Sequence, residues 1–202
     1  MKKIVTLFSL FIMFYCKAQS TMIPLYTPTT HIGDIADAYY KDTNNLQNQF
    51  VGTWKYTNGT TTFKIVLSKL NSHYNGKYYE DIIVGEYEYY ENGVLKISTL
   101  SNLLLPQTSI IENIRGYLMC PGSFDNPLCA DCSYTDRKVT KLDFNDPQRQ
   151  LMGTLYLRRV DNGTQQILNA SLFQDMVVSE PNDPRTIFSL TVPALNYTLI
   201  KE

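Results

Sequence analysis

Histidine is nearly absent from this chain: His31 and His73 are the two in 202 residues. His31 lies in a stretch without periodicity. His73 lies in an expected turn, Ser72-His73-Tyr74-Asn75, so both read as surface residues and no histidine general base is expected. No G-x-S-x-G, H-E-x-x-H, phosphate loop or dinucleotide fingerprint occurs, and the chain reads as non-enzymatic, with no cofactor and no metal centre. Surplus charge is missing as well. Eighteen basic and nineteen acidic residues give a formal net charge of −1, whereas a partner of nucleic acid needs a basic excess to neutralise phosphates. Long apolar runs are also lacking. The only one before residue 16, Ile4 to Tyr15, spans twelve residues, too few to cross a bilayer core of ~30 Å as a helix.

That short run has the form of an export signal covering residues 1–18. Lys2 and Lys3 precede it, and Cys16-Lys17-Ala18-Gln19 follows. Two processing routes stay open. Cys16 and Ala18 serve as the small residues before a cut that frees Gln19, or Cys16 is itself acylated, with Tyr15 a poor match at the preceding position. Either route places the protein outside the cytoplasm, in the periplasm, on the outer membrane if lipidated, or in the extracellular space. The only membrane contact expected is a lipid on Cys16. Three further cysteines, Cys120, Cys129 and Cys132, sit in a loop rich in Pro, Gly and Asn. In an oxidising compartment, Cys120 is expected to bond Cys129 or Cys132. The strand-then-helix context of a redox Cys-x-x-Cys is missing, and neither histidine is near enough in sequence to complete a zinc set.

Residues 19–50 read as an N-terminal arm, with a brief helical pattern at Ile32, Ile35, Ala36, Tyr39 and Tyr40. A helical turn over Thr43–Gln49, capped by Thr43, leads into Phe50. From residue 51 to 202 the period becomes two. Phe63, Ile65 and Leu67 alternate with polar residues, and so do Leu142 and Phe144, and Leu155 and Leu157. Asn-Gly occurs at 58–59, 75–76, 92–93 and 162–163, each a hairpin-turn signal. Nine or ten strands are predicted, near 51–57, 60–70, 78–90, 93–100, 109–119, 137–145, 150–160, 164–174, 185–192 and 194–201. The expected fold is all-β: an antiparallel up-and-down barrel of lipocalin-like type, or a strongly curled meander, of 8–10 strands.

Gly52-Thr53-Trp54 after a short turn resembles the first-strand motif of lipocalins. That resemblance implies a basic residue near the chain's end packing over the tryptophan, here Lys201. The segments Cys16-Lys-Ala-Gln19, Tyr40-Lys-Asp-Thr-Asn-Asn45, Phe50-Val-Gly-Thr-Trp54 and Leu199-Ile-Lys201 resemble an uncharacterised domain-of-unknown-function family of exported flavobacterial proteins. Members often carry a lipoprotein cysteine where Cys16 stands, and the resemblance implies no activity.

The functional expectation is binding of a small apolar or amphipathic ligand inside the barrel. Phe63, Ile65, Leu67, Leu155 and Leu157 are candidates for the cavity wall, and Trp54 and Lys201 for structural closure. Inward-facing residues are expected to stay apolar. The acidic residues Glu80, Asp81, Glu86, Glu88 and Glu91 read as the wet face of a strand, and the Asp143–Asp146 turn lacks a calcium-loop pattern. The alternative is a structural or adhesion role against an envelope protein or glycan. It would use the tyrosine-rich hairpin of Tyr74, Tyr78, Tyr79, Tyr87, Tyr89 and Tyr90.

Overall fold

A computed structural model describes residues 20–26, 31–105, 112–120, 128–129, 139–176 and 187–202. Its strands are β1 (Met22–Pro24), β2 (Tyr39–Lys41), β3 (Gly52–Asn58), β4 (Thr61–Tyr74), β5 (Tyr79–Glu91), β6 (Val94–Ser98), β7 (Ile114–Cys120), β8 (Val139–Asp146), β9 (Leu151–Arg159), β10 (Ile167–Gln174) and β11 (Asn196–Lys201). Eight of them follow one another around a ring, β5-β4-β3-β11-β10-β9-β8-β7, and β7 pairs back onto β5. The result is a closed antiparallel barrel, lipocalin-like in form, with no α-helix among the described residues.

The period-two pattern accounts for the interior. Phe63, Ile65 and Leu67 of β4, Leu142 and Phe144 of β8, and Leu155 and Leu157 of β9 are buried in one core cluster with Trp54, Tyr87 and Leu199. The turns are set by asparagine and glycine, each in a different way. Asn92 and Gly93 both take positive φ, 53° and 78°, as a two-residue I′ turn between Glu91 and Val94 requires. At Asn75 the side chain accepts from the amides of Lys77 and Tyr78 instead, closing a longer loop.

Four expectations are corrected. The N-terminal arm is part of the sheet: β1 pairs in parallel with β2, and β2 pairs in parallel with β5. Tyr39 and Tyr40 are therefore strand residues, not a helical face. The turn before β3 is a 3-10 helix, Leu46–Phe50, with Asn45 at its N-cap position, and its first amides are satisfied not by Thr43 but by Asp42, whose carboxylate accepts from Leu46 and Gln47. The described part of the 185–192 segment forms no strand. Its backbone is satisfied by side chains: Arg149 donates to the carbonyls of Ser189 and Leu190, Leu190 donates to Gln174, and Thr191 donates to Asp146. Leu190 and Val192 are thereby held in the core.

The last correction concerns charge. Lys69 continues the inward row of Phe63, Ile65 and Leu67, and Asp81 continues that of Ile83 and Tyr87. The Lys69 ammonium lies 3.0 Å from Asp42 and 3.6 Å from Asp81. The inward rows thus end in ions where the N-terminal arm crosses the barrel.

Candidate functional site

β5 changes partner midway along its length. Ile83, Val84 and Gly85 pair with β7, whereas Glu88 to Glu91 pair with β6. Glu86 and Tyr87 occupy the fork between the two partners. Thr99 fills the backbone gap at Tyr87: its amide donates to the Tyr87 carbonyl at 2.8 Å, and the Tyr87 amide donates to its hydroxyl at 2.9 Å. Both main-chain groups of Tyr87 are thus satisfied on the edge where neither β6 nor β7 pairs with it. The Tyr87 ring turns inward against Phe63 and Phe144, so its neighbour Glu86 faces the outer wall.

Over that outer wall runs a second 3-10 helix, Leu100–Leu104. It leaves a recess of about 130 Å³ lined by Ser68, Val84, Gly85, Glu86, Asn102, Leu103 and Glu112. Glu86 is only 2% exposed. Its Oε2 accepts from Asn113 Nδ2 at 2.7 Å, and Asn113 is itself oriented by Asn145. Glu86 Oε1 meets no hydrogen-bond donor among the described residues. Glu112 lies 3.6 Å from Arg115 Nη1, and Arg115 Nη2 is 2.8 Å from His73 Nε2. Burial, and then the Arg115 charge, hold the His73 imidazole below its usual pKa. Nearby Glu80 is buried, and that burial raises its carboxyl above the usual range, partly offset by Asn75 and Arg115.

The acidic cluster is therefore not a single solvated face: Glu80, Asp81 and Glu86 are buried, whereas Glu88 is half-buried and Glu91 exposed. His73 is likewise a strand residue engaged by Arg115, not a turn residue. The sequence contains no signal for the fork, because Thr99 and Tyr87 become partners only once β5 is shared between β6 and β7.

The five candidate cavity residues, Phe63, Ile65, Leu67, Leu155 and Leu157, are at most 1% exposed and lie together in the core cluster. None of them lines the recess. Nor do they line the wide polar depression of about 590 Å³ formed by Asn45, Asn48, Val51, Ser68, Lys69 and Asn71. Trp54 and Lys201 do meet: they are register partners, and Lys201 Nζ lies 5.4 Å from the indole. Arg159, not singled out in the sequence, stands 5.1 Å from the same ring and donates to the Gln49 carbonyl. The tyrosine hairpin is split. Tyr87 and Tyr89 are core residues and Tyr78 packs on Tyr40, which leaves Tyr74 as its exposed member. Cys129 is buried. Cys16, Cys132 and the side chain of Cys120 lie outside the described residues.

The chain belongs to a family of unknown function (DUF6705), whose sequence profile matches residues 1–202. No curated protein and no solved structure matches it significantly.

Proposed function

We propose that this is an exported, non-catalytic envelope protein that binds a small amphipathic ligand on the outside of its barrel wall, in the recess at the fork of β5. The observation that carries this reading is the tight burial of the five interior candidates together with an outer recess whose lining is both polar and apolar. Glu86, Asn102 and Glu112 supply polar side chains to that lining, and Val84 and Leu103 apolar ones. Beside Leu103, Leu104 stands 88% exposed, an apolar rim that suits a ligand with an apolar body. Export rests on residues 1–18 as a signal, with Cys16 either removed or acylated. A disulfide from Cys129 to Cys120 or Cys132 fits that compartment, and the burial of Cys129 supports it.

The test is native mass spectrometry of protein purified from its own envelope. A small co-purified ligand is expected in the wild type and absent from Leu103→Trp, whose indole fills the recess. A ligand retained by Leu103→Trp overturns the wall site, and a wild type without any ligand overturns the binding role. The same spectra report acylation at Cys16 and the number of free thiols.

A further inference from the structure

We infer that the fork recess recognises a primary alkylammonium group, with the ammonium against Glu86 Oε1 and the carbon stem along Val84 and Leu103. This rests on the recess being the ligand site. Glu86 is buried, one of its carboxylate oxygens is tied by Asn113, and the other meets no donor among the described residues. An ionised carboxylate held out of water in this way is costly unless a charge-assisted donor reaches it. The Arg115 guanidinium, which pairs with the lining residue Glu112, is committed to Glu112 and His73.

The shape of the demand selects the class of cation. A guanidinium pairs best with both oxygens of a carboxylate, and here Oε2 is already taken. Calcium wants six to eight oxygen ligands, and among the described residues no group of three or more metal-ligating side chains gathers. An ammonium carries three donors on a point charge, which Oε1 and the neutral oxygens of Ser68 and Asn102 in the lining suit. The size agrees. A recess of about 130 Å³ is slightly smaller than the ~150 Å³ cavity that accepts a benzene, and so takes a stem of about four carbons.

The test titrates the full mature chain with n-butylammonium chloride and, separately, with n-butanol as its neutral counterpart, followed by backbone amide NMR. Shifts are expected at Val84–Tyr87 and Thr99–Leu103, with the ammonium binding roughly tenfold or more tightly than the alcohol. Glu86→Gln should erase that preference. Leu103→Trp, which leaves Glu86 intact, should abolish binding of both, and it serves as the probe if Glu86→Gln does not fold. Equal binding of ammonium and alcohol overturns the ammonium assignment and leaves the recess as a site. A preference surviving in Glu86→Gln also overturns it. No shift at those amides with either probe overturns the recess reading itself. Nα-acetyl-lysine methylamide is the third probe. Tighter binding than n-butylammonium assigns the group to a partner's lysine and weaker binding to a free amine, and both results uphold ammonium recognition.

Discussion

At the scale of single residues, Trp54 shows how the barrel is closed. Its indole donates to the Phe50 carbonyl at 2.7 Å, and two cations lie near the ring, Arg159 at 5.1 Å and Lys201 at 5.4 Å. Their contributions differ in kind. Arg159 also holds the Leu46–Phe50 turn through the Gln49 carbonyl at 2.8 Å, a charged hydrogen bond worth about 1.5–3 kcal/mol. Lys201 offers ring contact of about 0.5–1 kcal/mol and lies over Gly52, whose φ of 131° favours glycine. Arg159→Ala should therefore destabilise the protein by about 2 kcal/mol more than Lys201→Ala, which itself should cost under about 1 kcal/mol. Denaturant titration followed by the fluorescence of the sole tryptophan ranks the two, and the reverse order would make the lysine the principal closure. His73 supplies a pH dependence. Its lowered pKa means that the unfolded chain takes the proton first as pH falls below 6.5. The stability it contributes is full above that value and is lost as pH falls through the folded pKa. Glu80 acts in the opposite sense: with its pKa raised, its proton favours the folded state as pH falls towards 4.5. Between roughly pH 7 and 5.5, His73→Gln should lose less stability than the wild type, measured as the shift in urea midpoint. Parallel curves would mean that His73 does not titrate with folding.

At the scale of elements, the N-terminal arm is fastened by ions rather than by apolar packing alone. Asp81 accepts from the Tyr39 hydroxyl and from the amides of Asp42 and Ser72, while Asp42 holds the first amides of the Leu46–Phe50 turn. Lys69 is the cation between the two carboxylates, its side chain 11% exposed. Removing it leaves two buried carboxylates without that charge, so Lys69→Met should cost about 3 kcal/mol or more. Lys64→Met, which breaks the more exposed pair with Glu88, should cost under about 1 kcal/mol. Equal costs in thermal or chemical melts would mean that water reaches the cluster freely. This contrast also marks how far the residues could be read in advance. Phe63, Ile65 and Leu67 announced their face by alternation, and Asn92-Gly93 announced its turn, because both signals are local. Lys69 and Asp81 interrupt the same inward rows, and what permits it is Asp42, 27 and 39 positions away from them in the chain. The fork at Glu86 was equally hidden. It depends on β6 and β7 competing for one edge of β5, which no spacing within β5 records.

At the scale of the whole molecule, the meeting of first and last barrel strands makes every stave depend on its neighbours, and five buried or half-buried tyrosines report on that dependence. Tyr26 and Tyr39 lie in the arm, Tyr87 and Tyr197 pack in the barrel core, and Tyr117 lies on β7. Burial is the main cause raising the pKa of each, Tyr117 to about 12 and the other four further. The unfolded chain loses these protons near 10.0, so the stability they carry is complete below that pH and is lost as pH rises through the raised values. Base should therefore unfold the protein, with tyrosinate absorbance from these five residues appearing in a single step. The same step should take away the folded fluorescence of Trp54, because no stave of a closed ring can leave without opening two edges. Tyr39→Phe and Tyr26→Phe remove ionisable groups from the arm alone. If arm and barrel unfold as one, both variants should make this step less steep without dividing it. A first tyrosinate step that precedes the Trp54 change and disappears in these variants would instead make the arm a separately opening flap, held to a barrel that stays closed.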